Sequence, residues 1–399
     1  MRQWISFVVF SAVANVCRGT IYFLEEFNDD PFASGRWVVS EWKKSDGTDG
    51  TFELSSGKYY HDKEAAQGLK TAQDAKFYHA SAAFPSFSNA DKTLVIQYQI
   101  KNEQRMDCGG TYLKIGPKID DQTQLKESTV YNIMFGPDQC GSKRLTHVIF
   151  NYGGKNLDKK RDVEMKRDET SHVYTLIVKP DNTYKVKIDM NEVASGSLEA
   201  DWPFLPPKKI KDPAVSKPAD WVEEAEIDDP EDTKPDDWVD EATIPDPEAT
   251  KPEDWDDEED GEWTPPMKAN PAYKGPWKAK RIPNPEYKGP WSHPEIDNPE
   301  YKDDATLYKY DDFSMVSIDL WQVQSGSIFD NILLCDSEAE ADEIAEKFWK
   351  PLSEAEKKQK EEADKKAEEA AKAAAEAAAA DDEEPEDDDD DDDDVRDEL

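Results

Sequence analysis

Lys217-Pro-Ala-Asp-Trp221 recurs as Lys234-Pro-Asp-Asp-Trp238 and as Lys251-Pro-Glu-Asp-Trp255, at one fixed period. A second pattern, Asn270-Pro-Ala-Tyr-Lys-Gly-Pro-Trp277, recurs from Asn284 and begins again at Asn298, at a shorter fixed period. Repeats at a fixed period indicate stacked structural units. Each unit holds prolines, carboxylates and few large apolar side chains, so it can form neither a helix nor a core of its own.

The two repeat sets therefore have to pair with each other. We expect the first three units to fold back antiparallel on the second three, with the Trp and Tyr side chains of one set covering those of the other. Aromatic side chains bury roughly 150–250 Å² each, which is enough to hold such an arm together. The turn is expected near residues 257–264. Composition alone would also allow a disordered acidic linker, but two sets of three units with fixed periods argue against it.

The composition limits the class of protein. The chain has 399 residues, 37% of them hydrophobic, which suffices for one substantial globular domain with extensions. Its formal net charge is −41. Such a charge repels nucleic acids and anionic lipids and attracts cations, so nucleic-acid binding is excluded.

Both ends of the chain carry targeting patterns. Residues 1–18 combine Arg2 with an apolar run and small residues, which predicts a secretory signal; a buried first strand is the alternative. No later apolar run approaches membrane length, so we expect no membrane span. The chain ends in Arg396-Asp-Glu-Leu399, a variant of the retrieval signal of the endoplasmic reticulum. We expect residence in its lumen, with partial secretion or cell-surface exposure left open by the Arg.

The rest of the chain predicts a mainly β protein. Short alternating runs of β-branched and aromatic residues, such as 94–100, 173–178, 307–310 and 313–321, are typical of a β-sandwich. They fill residues 19–205 and resume over residues 304–336. The arm, residues 206–303, is then an insertion in one sandwich.

A helix and an acidic tail follow. Residues 337–380 are rich in Ala, Glu and Lys, which predicts a helix whose first part packs on the sandwich through Ile344, Phe348, Trp349 and Leu352. Residues 381–399 form a tail in which every position from 381 to 394 except Pro385 is acidic. A dense set of carboxylates suits many weakly bound Ca²⁺ ions, although a merely solubilising tail is the alternative. The expected ligands include Asp381, Asp382, Glu383, Glu384, Asp387, Asp390 and Asp394.

Three cysteines remain after removal of the signal. Cys108 and Cys140 both follow strand-like runs and lie in Gly-rich turns, so we expect them to form a disulfide in the oxidising lumen. Closing that loop would contribute about 3 kcal/mol. Cys335 follows an apolar run and is expected to be a buried thiol.

The sequence contains no recognisable catalytic motif. Its five histidines are scattered, and His147, inside a predicted strand, is expected to be a core residue. We expect no enzymatic activity, although two carboxylates for glycoside hydrolysis would not be visible in a sequence. Tyr112 and Lys114, beside the expected disulfide, offer a stacking face and a hydrogen-bond donor suited to a sugar. The residues alone leave open whether Tyr112 binds a ligand or belongs to the core.

Asn132-Ile-Met-Phe-Gly-Pro-Asp138-Gln-Cys-Gly141, the cysteine pair, both repeats and the acidic tail together resemble the calreticulin and calnexin family over nearly the whole chain. The resemblance implies a legume-lectin-like sandwich with a curved proline-rich arm. It also implies a Ca²⁺-dependent lectin chaperone that holds monoglucosylated N-glycans on folding glycoproteins and buffers lumenal calcium. A calcium store without lectin activity is the alternative function.

The resemblance also implies specific sites. The glycan site would consist of Tyr112, Lys114, Tyr131, Asp138, Asp319 and Trp321. A tighter Ca²⁺ site would use Glu26, Ala65, Gln67 and Asp330, with backbone carbonyls serving at Ala65 and Gln67. At the arm's tip, Asp260, Glu262 and Trp263 would bind an oxidoreductase of the protein disulphide isomerase family. We expect the protein to be a monomer.

Overall fold

A computed structural model describes residues 19–256, 258 and 261–381. The predicted signal, Asp260 at the arm's tip, and the terminal residues from Asp382 onward, with the retrieval ending, lie outside the described residues. Of Asp381, only the backbone is described. The chain divides into two compact units, which we call the arm, Pro207–Tyr301, and the sandwich unit, which comprises the remainder. Within the described residues, no helix is both long and apolar enough to cross a membrane.

The sandwich unit is built from two eight-stranded sheets in its described part. Its strands are β1 (Ile21–Glu25), β2 (Trp37–Val39), β3 (Phe52–Ser55), β4 (Gly68–Thr71), β5 (Lys76–Phe87), β6 (Leu94–Asn102), β7 (Cys108–Gly110), β8 (Leu113–Gly116), β9 (Ile133–Cys140), β10 (Lys143–Tyr152), β11 (Lys155–Asp158), β12 (Ser171–Val178), β13 (Thr183–Ile188) and β14 (Asn191–Ser197), then, after the arm, β21 (Phe313–Gln322) and β22 (Ser327–Cys335). The first sheet has the order β14-β13-β12-β6-β22-β4-β3, with β1 also paired to β22. The second has the order β11-β10-β9-β7-β21-β5-β2, with β8 paired to β9 and β21.

Alternation along each strand places one face of each sheet in a common core. In β21, Val316, Ile318 and Leu320 join that core, so the side chains of Asp319 and Trp321 lie on the opposite face of the second sheet. We call this the outer face of the second sheet. β21 and β22 come after the arm in the sequence, yet β22 lies between β6 and β4 in the first sheet and β21 lies between β7 and β5 in the second. The predicted sandwich with an inserted arm is therefore confirmed.

The expected disulfide is present. Cys108 and Cys140 lie opposite each other in β7 and β9, and their sulfur atoms are 2.03 Å apart. Cys335 is a free, buried thiol, as expected, and burial raises its pKa to about 11. The predicted strand at residues 307–310 is wrong, because this segment is a turn. Asp304 accepts hydrogen bonds from the backbone N–H and hydroxyl of Thr306, and Leu307 and Tyr308 then fill the core from that turn.

The C-terminal helical segment covers the outer face of the first sheet. It comprises α2 (Glu338–Ile344), a π-helical turn (Ala345–Trp349) and α3 (Lys350–Asp381), after a short helix α1 (Leu198–Asp201) earlier in the chain. The Ser337 hydroxyl caps α2 by accepting from the N–H of Glu340. Ala341 and Ile344 pack on outward side chains of the first sheet, and the Trp349 indole N–H donates to the Ser171 carbonyl at 2.8 Å.

The arm is an antiparallel hairpin, as its repeats predicted. It has three two-stranded ladders, which pair β15 (Lys209–Lys211) with β20 (Glu295–Asp297), β16 (Glu226–Asp228) with β19 (Arg281–Pro283), and β17 (Thr243–Pro245) with β18 (Met267–Ala269). The repeated Trp side chains link the two sides. The indole N–H groups of Trp221, Trp238 and Trp255 donate to the carbonyls of Gly289, Gly275 and Gly261, at 2.8–2.9 Å.

Each repeated Asn has a defined structural role. The side chain of Asn284 donates across the arm to the Glu224 carbonyl at 2.9 Å, and its Oδ1 accepts from the N–H of Glu286 in a tight turn. Asn270 and Asn298 make equivalent bonds in their own units. The arm is therefore held by polar links that repeat with the sequence.

Candidate functional site

The outer face of the second sheet collects the six residues predicted to bind a glycan. Lys114 lies in β8, Asp138 in β9, and Asp319 and Trp321 in β21, while Tyr112 and Tyr131 shortly precede β8 and β9. Cross-strand register brings them together, because Ser317, two residues before Asp319, lies opposite Lys114.

Asp319 is the centre of this group. Its Oδ2 lies 2.5 Å from Lys114 Nζ, and its Oδ1 lies 3.0 Å from His79 Nε2, while only 5% of its side chain is exposed. Burial opposes ionisation, yet His79 and Lys114 outweigh it and hold the pKa of Asp319 below its ordinary value. Asp319 is therefore a fixed carboxylate at neutral pH, with lone pairs that can accept hydrogen bonds from a ligand.

Two phenols flank the carboxylate. Tyr112 is largely buried; burial raises its pKa far above 10, and the nearby Asp319 and Asp138 add to that shift. Burial, with Asp158 and Asp319, raises the pKa of Tyr131 to about 12. Lys114 Nζ also lies 5.1 Å from the Tyr131 ring centroid. Both phenols thus stay protonated and can donate as well as accept.

Glycines make room for Tyr112. A Cβ atom at Gly110 would overlap its ring, and one at Gly136 would lie 2.9 Å from its Cα and overlap the Tyr98 hydroxyl. Gly136 also has a φ of +132°, which other residues rarely adopt. The tyrosine packs against the core and lies edge-on to His147, with ring centroids 6.1 Å apart. The structure thus places Tyr112 at the core boundary, where it reaches both the core and the outer face.

His147 is not the core residue that its strand suggested. It lies on the outer face of the second sheet, because Val148 and Phe150 of β10 belong to the main core cluster, and its Nε2 is 3.3 Å from Asp138 Oδ2. Its other ring nitrogen is 3.8 Å from Asp158 Oδ1. The wrong expectation arose because a strand run does not reveal which face is buried.

Three residues at the site were missed by sequence reasoning. His79 and Phe77 lie in β5, opposite Asp319 and Trp321 respectively, and Trp42 contacts both of them. The alternation of Phe77, His79 and Ser81 with Tyr78, Ala80 and Ala82 was the available signal for this strand. Their partners, however, lie beyond the arm in the sequence, so their role depends on a long-range register.

The predicted calcium residues lie around a buried carboxyl group. Asp330 is 6% exposed and accepts hydrogen bonds from the backbone and side chain of Asn331 at 2.7 and 2.8 Å. Burial, and then the negative charges of Glu26 and Glu25, raise its pKa well above the ordinary value. A divalent cation would reverse this effect, so the carboxyl fits an oxygen-ligated Ca²⁺ site.

Two further contacts bring the other predicted calcium residues close to Asp330. Gln67 Nε2 donates to the Phe27 carbonyl at 2.9 Å, which ties the segment containing Ala65 and Gln67 to the segment containing Glu26. At Gly68 a Cβ atom would lie 3.1 Å from Asp330 Cβ, so glycine permits the close approach of β4 to β22. Among the described residues, no cluster of three or more His, Cys, Asp or Glu side chains could hold a metal. Besides Asp330, the predicted set offers the Glu26 carboxylate and the backbone carbonyls of Ala65 and Gln67.

At the tip of the arm, Glu262 is exposed and Trp263 is partly exposed, and Asp260 lies outside the described residues. Gly261 has a φ of +82°, close to the +84° and +83° of Gly275 and Gly289. Because its carbonyl also accepts from a Trp indole, the tip repeats the turn of the two units below it.

Comparisons with known proteins agree over most of the chain. A sequence profile of the Calreticulin family matches residues 23–261 and 260–334. Human calreticulin is 60% identical over 344 residues, which cover 86% of this chain and 82% of that protein. Rat calreticulin is 60% identical over 339 residues, covering 85% and 81%. The solved globular domain of T. cruzi calreticulin superposes with a TM-score of 0.61 at 29% identity, covering 85% of this chain and 97% of that domain.

Proposed function

The chain belongs to the calreticulin family of lectin chaperones of the endoplasmic reticulum, and we propose that it binds monoglucosylated N-glycans of folding glycoproteins on the outer face of the second sheet. The observation that carries this assignment is the buried ion pair of Lys114 and Asp319, set between Tyr112 and Tyr131.

This group of side chains matches the chemistry of a sugar. Each sugar hydroxyl both donates and accepts hydrogen bonds, and the site offers an ammonium donor, a carboxylate acceptor and two phenols that do both. Asp138, positioned by His147, adds a second acceptor at the edge of the site. A site that hydrogen-bonds specific hydroxyls rejects a ligand that lacks them, because its own buried groups would then be left unpaired.

Trp321 supplies the apolar part of the site. It is partly exposed, lies two residues beyond Asp319 on the same face, and has a ring centroid 4.6 Å from that of Phe77. The C–H face of a sugar ring can pack on such an indole. The site thus combines orientation by charged groups with contact area from an aromatic one.

Calcium would act at two kinds of site. Asp330 and Glu26, with the backbone carbonyls of Ala65 and Gln67, would hold one ion, which neutralises a buried carboxylate and stabilises the sandwich unit. The acidic residues from Asp381 to Asp394 would bind further ions weakly and buffer lumenal calcium. The net charge of −41 also favours a second candidate function, calcium storage without lectin activity.

The tip of the arm would recruit a folding enzyme. Asp260, Glu262 and Trp263 place an aromatic side chain among carboxylates, and such a group can anchor a partner while charge steers the encounter. The partner would be an oxidoreductase of the protein disulphide isomerase family.

Calorimetric titration with a monoglucosylated oligomannose, compared with the same glycan lacking glucose, tests the lectin function. We expect binding to the glucosylated form only, and Asp319→Asn should weaken it at least tenfold, because a charge-assisted hydrogen-bond acceptor is lost. Asp311→Asn is the matched control, since Asp311 is exposed and pairs only with surface Lys309 among the ion pairs of the described residues. Binding of neither glycan would instead favour the calcium store, and equal binding of both would refute the preference for a terminal glucose.

A further inference from the structure

We propose that the start of α3 positions the tighter calcium site, so that calcium binding there and docking of α3 on the sandwich unit strengthen each other. The contact runs through residues 56–67, which join β3 to β4 and include Ala65 and Gln67. We call these residues the calcium loop. The inference rests on the proposed calcium site and adds to it positioning residues that lie far away in the sequence.

Gln359 of α3 forms two hydrogen bonds with the calcium loop. Its Oε1 accepts from the backbone N–H of Tyr60 at 3.3 Å, and its Nε2 donates to the Tyr60 carbonyl at 2.7 Å. One helix side chain thus satisfies both backbone groups of one loop residue. Because two bonds restrict orientation as well as distance, the middle of the calcium loop has fewer conformations while α3 is docked.

Lys101 ties the first part of the loop to the same helix. Its Nζ lies 2.9 Å from Glu356 Oε1 and donates to the carbonyls of Ser56 and Tyr59, at 3.3 and 2.8 Å. Lys101 is buried, and buried hydrogen bonds are costly to leave unmade. Because one ammonium group holds both the helix and the loop, displacement of α3 would leave it free to reorient, and the loop carbonyls would lose a fixed donor.

Hydrogen bonds within the loop carry this restraint to the predicted ligands. Asp62 Oδ1 accepts from the N–H groups of Glu64 and Ala65, at 2.9 and 3.1 Å. The Ser56 hydroxyl also donates to the Lys63 carbonyl at 2.5 Å. These bonds fix the turn that presents the Ala65 carbonyl, and a calcium ion requires its oxygen ligands within a narrow range of distances.

A small cavity forms a second route between the calcium site and α3. Its volume is about 10 Å³, and its lining includes Asp330, Ala66 of the calcium loop, and Leu352 and Glu356 of α3. Gln99, directly opposite Asp330, also lines it, and its Oε1 is buried without a hydrogen-bond partner among the described residues. A cavity of this size holds at most about one water molecule, so movement of Asp330 toward a cation changes the packing of α3.

Such a coupling acts in both directions. Calcium stabilises the loop conformation on which α3 docks, and docked α3 lowers the entropic cost of ordering the loop around the ion. Since α3 leads directly into the acidic residues from Asp381 onward, the tighter site is linked to the segment that is proposed to buffer calcium.

Gln359→Met tests the coupling, because it keeps a side chain of similar length but removes both hydrogen bonds to Tyr60. We expect calorimetric titration of the full chain to show that the tighter site is weakened about fivefold or more, which is the lower end of the range for coupled sites. Gln124→Met is the matched control, since Gln124 is exposed in the sandwich unit and its side chain bonds only its neighbour Thr123 among the described residues. Unchanged affinity in Gln359→Met, or equal weakening in the control, would overturn the proposal.

Amide hydrogen exchange tests the reverse direction. In the unchanged protein, one equivalent of calcium should slow exchange both in the calcium loop and over residues 350–360, and Asp330→Asn should abolish both effects. Slower exchange in the loop alone would overturn the coupling. A response of residues 350–360 that persists in Asp330→Asn would overturn it too, since it would then arise from calcium bound to acidic residues elsewhere. If the unchanged protein lacked a tighter calcium site altogether, the proposed site itself would be refuted, and this outcome is distinct from the others.

Discussion

Asp319 and Asp330 are both buried carboxyl groups, yet their surroundings move their pKa values in opposite directions. Asp319 has two basic partners and its pKa is lowered, whereas Asp330 faces the acidic residues Glu25 and Glu26 and its pKa is raised. Burial alone would have raised both. The difference fits the proposed roles, in which Asp319 hydrogen-bonds a neutral ligand and Asp330 binds a cation.

The raised pKa of Asp330 predicts how calcium affects stability. Without calcium, the folded carboxyl holds its proton more tightly than the unfolded chain does. Its favourable contribution is therefore complete below about pH 4 and is lost as the pH rises through the folded value. Bound Ca²⁺ replaces the proton, so at pH 7 we expect a calcium-saturated sample to unfold at a higher temperature than a chelated one.

Thermal unfolding of the Asp330→Asn variant tests this prediction. The variant should melt at nearly the same temperature with calcium and with chelator, because it has no charge to neutralise at this site. Asp336→Asn, with the same change in a residue that bonds Thr20 and Tyr22, is the control and should keep the calcium response. A full calcium response in Asp330→Asn would place the stabilising ion elsewhere.

His172 gives a pH dependence of the same sign, but at a higher pH. It is buried in β12, with Nδ1 2.9 Å from Asp189 Oδ2 and Nε2 3.0 Å from Asp168 Oδ1. Burial disfavours its charge, but Asp168 and Asp189 outweigh burial and raise its pKa above 6.5. The stabilisation is thus complete below about pH 6.5 and is lost as the pH rises through the folded value. In urea unfolding, His172→Gln should cost about 1–3 kcal/mol at pH 6 and less at pH 8; a loss independent of pH would contradict this.

At the scale of elements, the buried residue Glu356 makes the main polar contact between the start of α3 and the first sheet. Glu356 is fully buried, lies 2.9 Å from Lys101 Nζ, and accepts from the backbone N–H and the hydroxyl of Ser171 at 2.6 and 2.8 Å. These bonds fix the start of α3 on β6 and β12, where its alanine-rich remainder offers little apolar surface. Docking of the helix is therefore a polar interaction as much as a hydrophobic one.

Glu356→Gln should release this helix. Removing one partner of a buried ion pair costs about 3–5 kcal/mol. The cost here should lie towards the lower end, because the Lys101 ammonium keeps a second carboxylate, that of Glu103, at 3.5 Å. We expect faster amide hydrogen exchange over residues 350–360 than in the unchanged protein. Glu361→Gln, an exposed position on the same helix, is the control and should leave exchange unchanged. Equal exchange in both variants would show that the apolar contacts of α2 suffice.

The elements differ in how far the sequence could predict them. The arm could be predicted as a hairpin because its Trp, Asn and Gly residues recur in register, and each forms the same bond in every unit. The role of His79 could not be predicted, because it depends on the pairing of β5 with β21 across the whole arm. The ligands of the tighter calcium site are difficult to predict from the sequence for another reason. Carbonyl ligands leave no trace in residue type, and of the four predicted residues only Glu26 and Asp330 have carboxylate side chains.

At the scale of the whole molecule, one repeat can be deleted from each side of the arm without changing a residue of the sandwich unit or of the arm's tip. Its ladders are centred on Ile210 with Ile296, Ile227 with Ile282, and Ile244 with Lys268, so one unit runs from one centre to the next on each side. Deleting residues 227–243 together with residues 268–281 removes one unit from each side and brings Ile244 opposite Ile282. The Trp221–Gly289 and Trp255–Gly261 hydrogen bonds both lie outside the deletion and should be kept.

This deletion tests the length of the arm without changing the residues that are proposed to bind the glycan and the oxidoreductase. The sandwich unit and the tip keep all their residues, so glycan affinity and affinity for the oxidoreductase should each stay within about twofold of the unchanged protein. If the arm holds the enzyme at a set distance from a glycan-bound client, oxidative refolding of a monoglucosylated glycoprotein should slow even though both partners bind. A Trp263→Ala variant is the comparison, since it should slow refolding by weakening enzyme binding instead. An unchanged refolding rate after the deletion would show that the arm acts as a flexible tether whose length is unimportant.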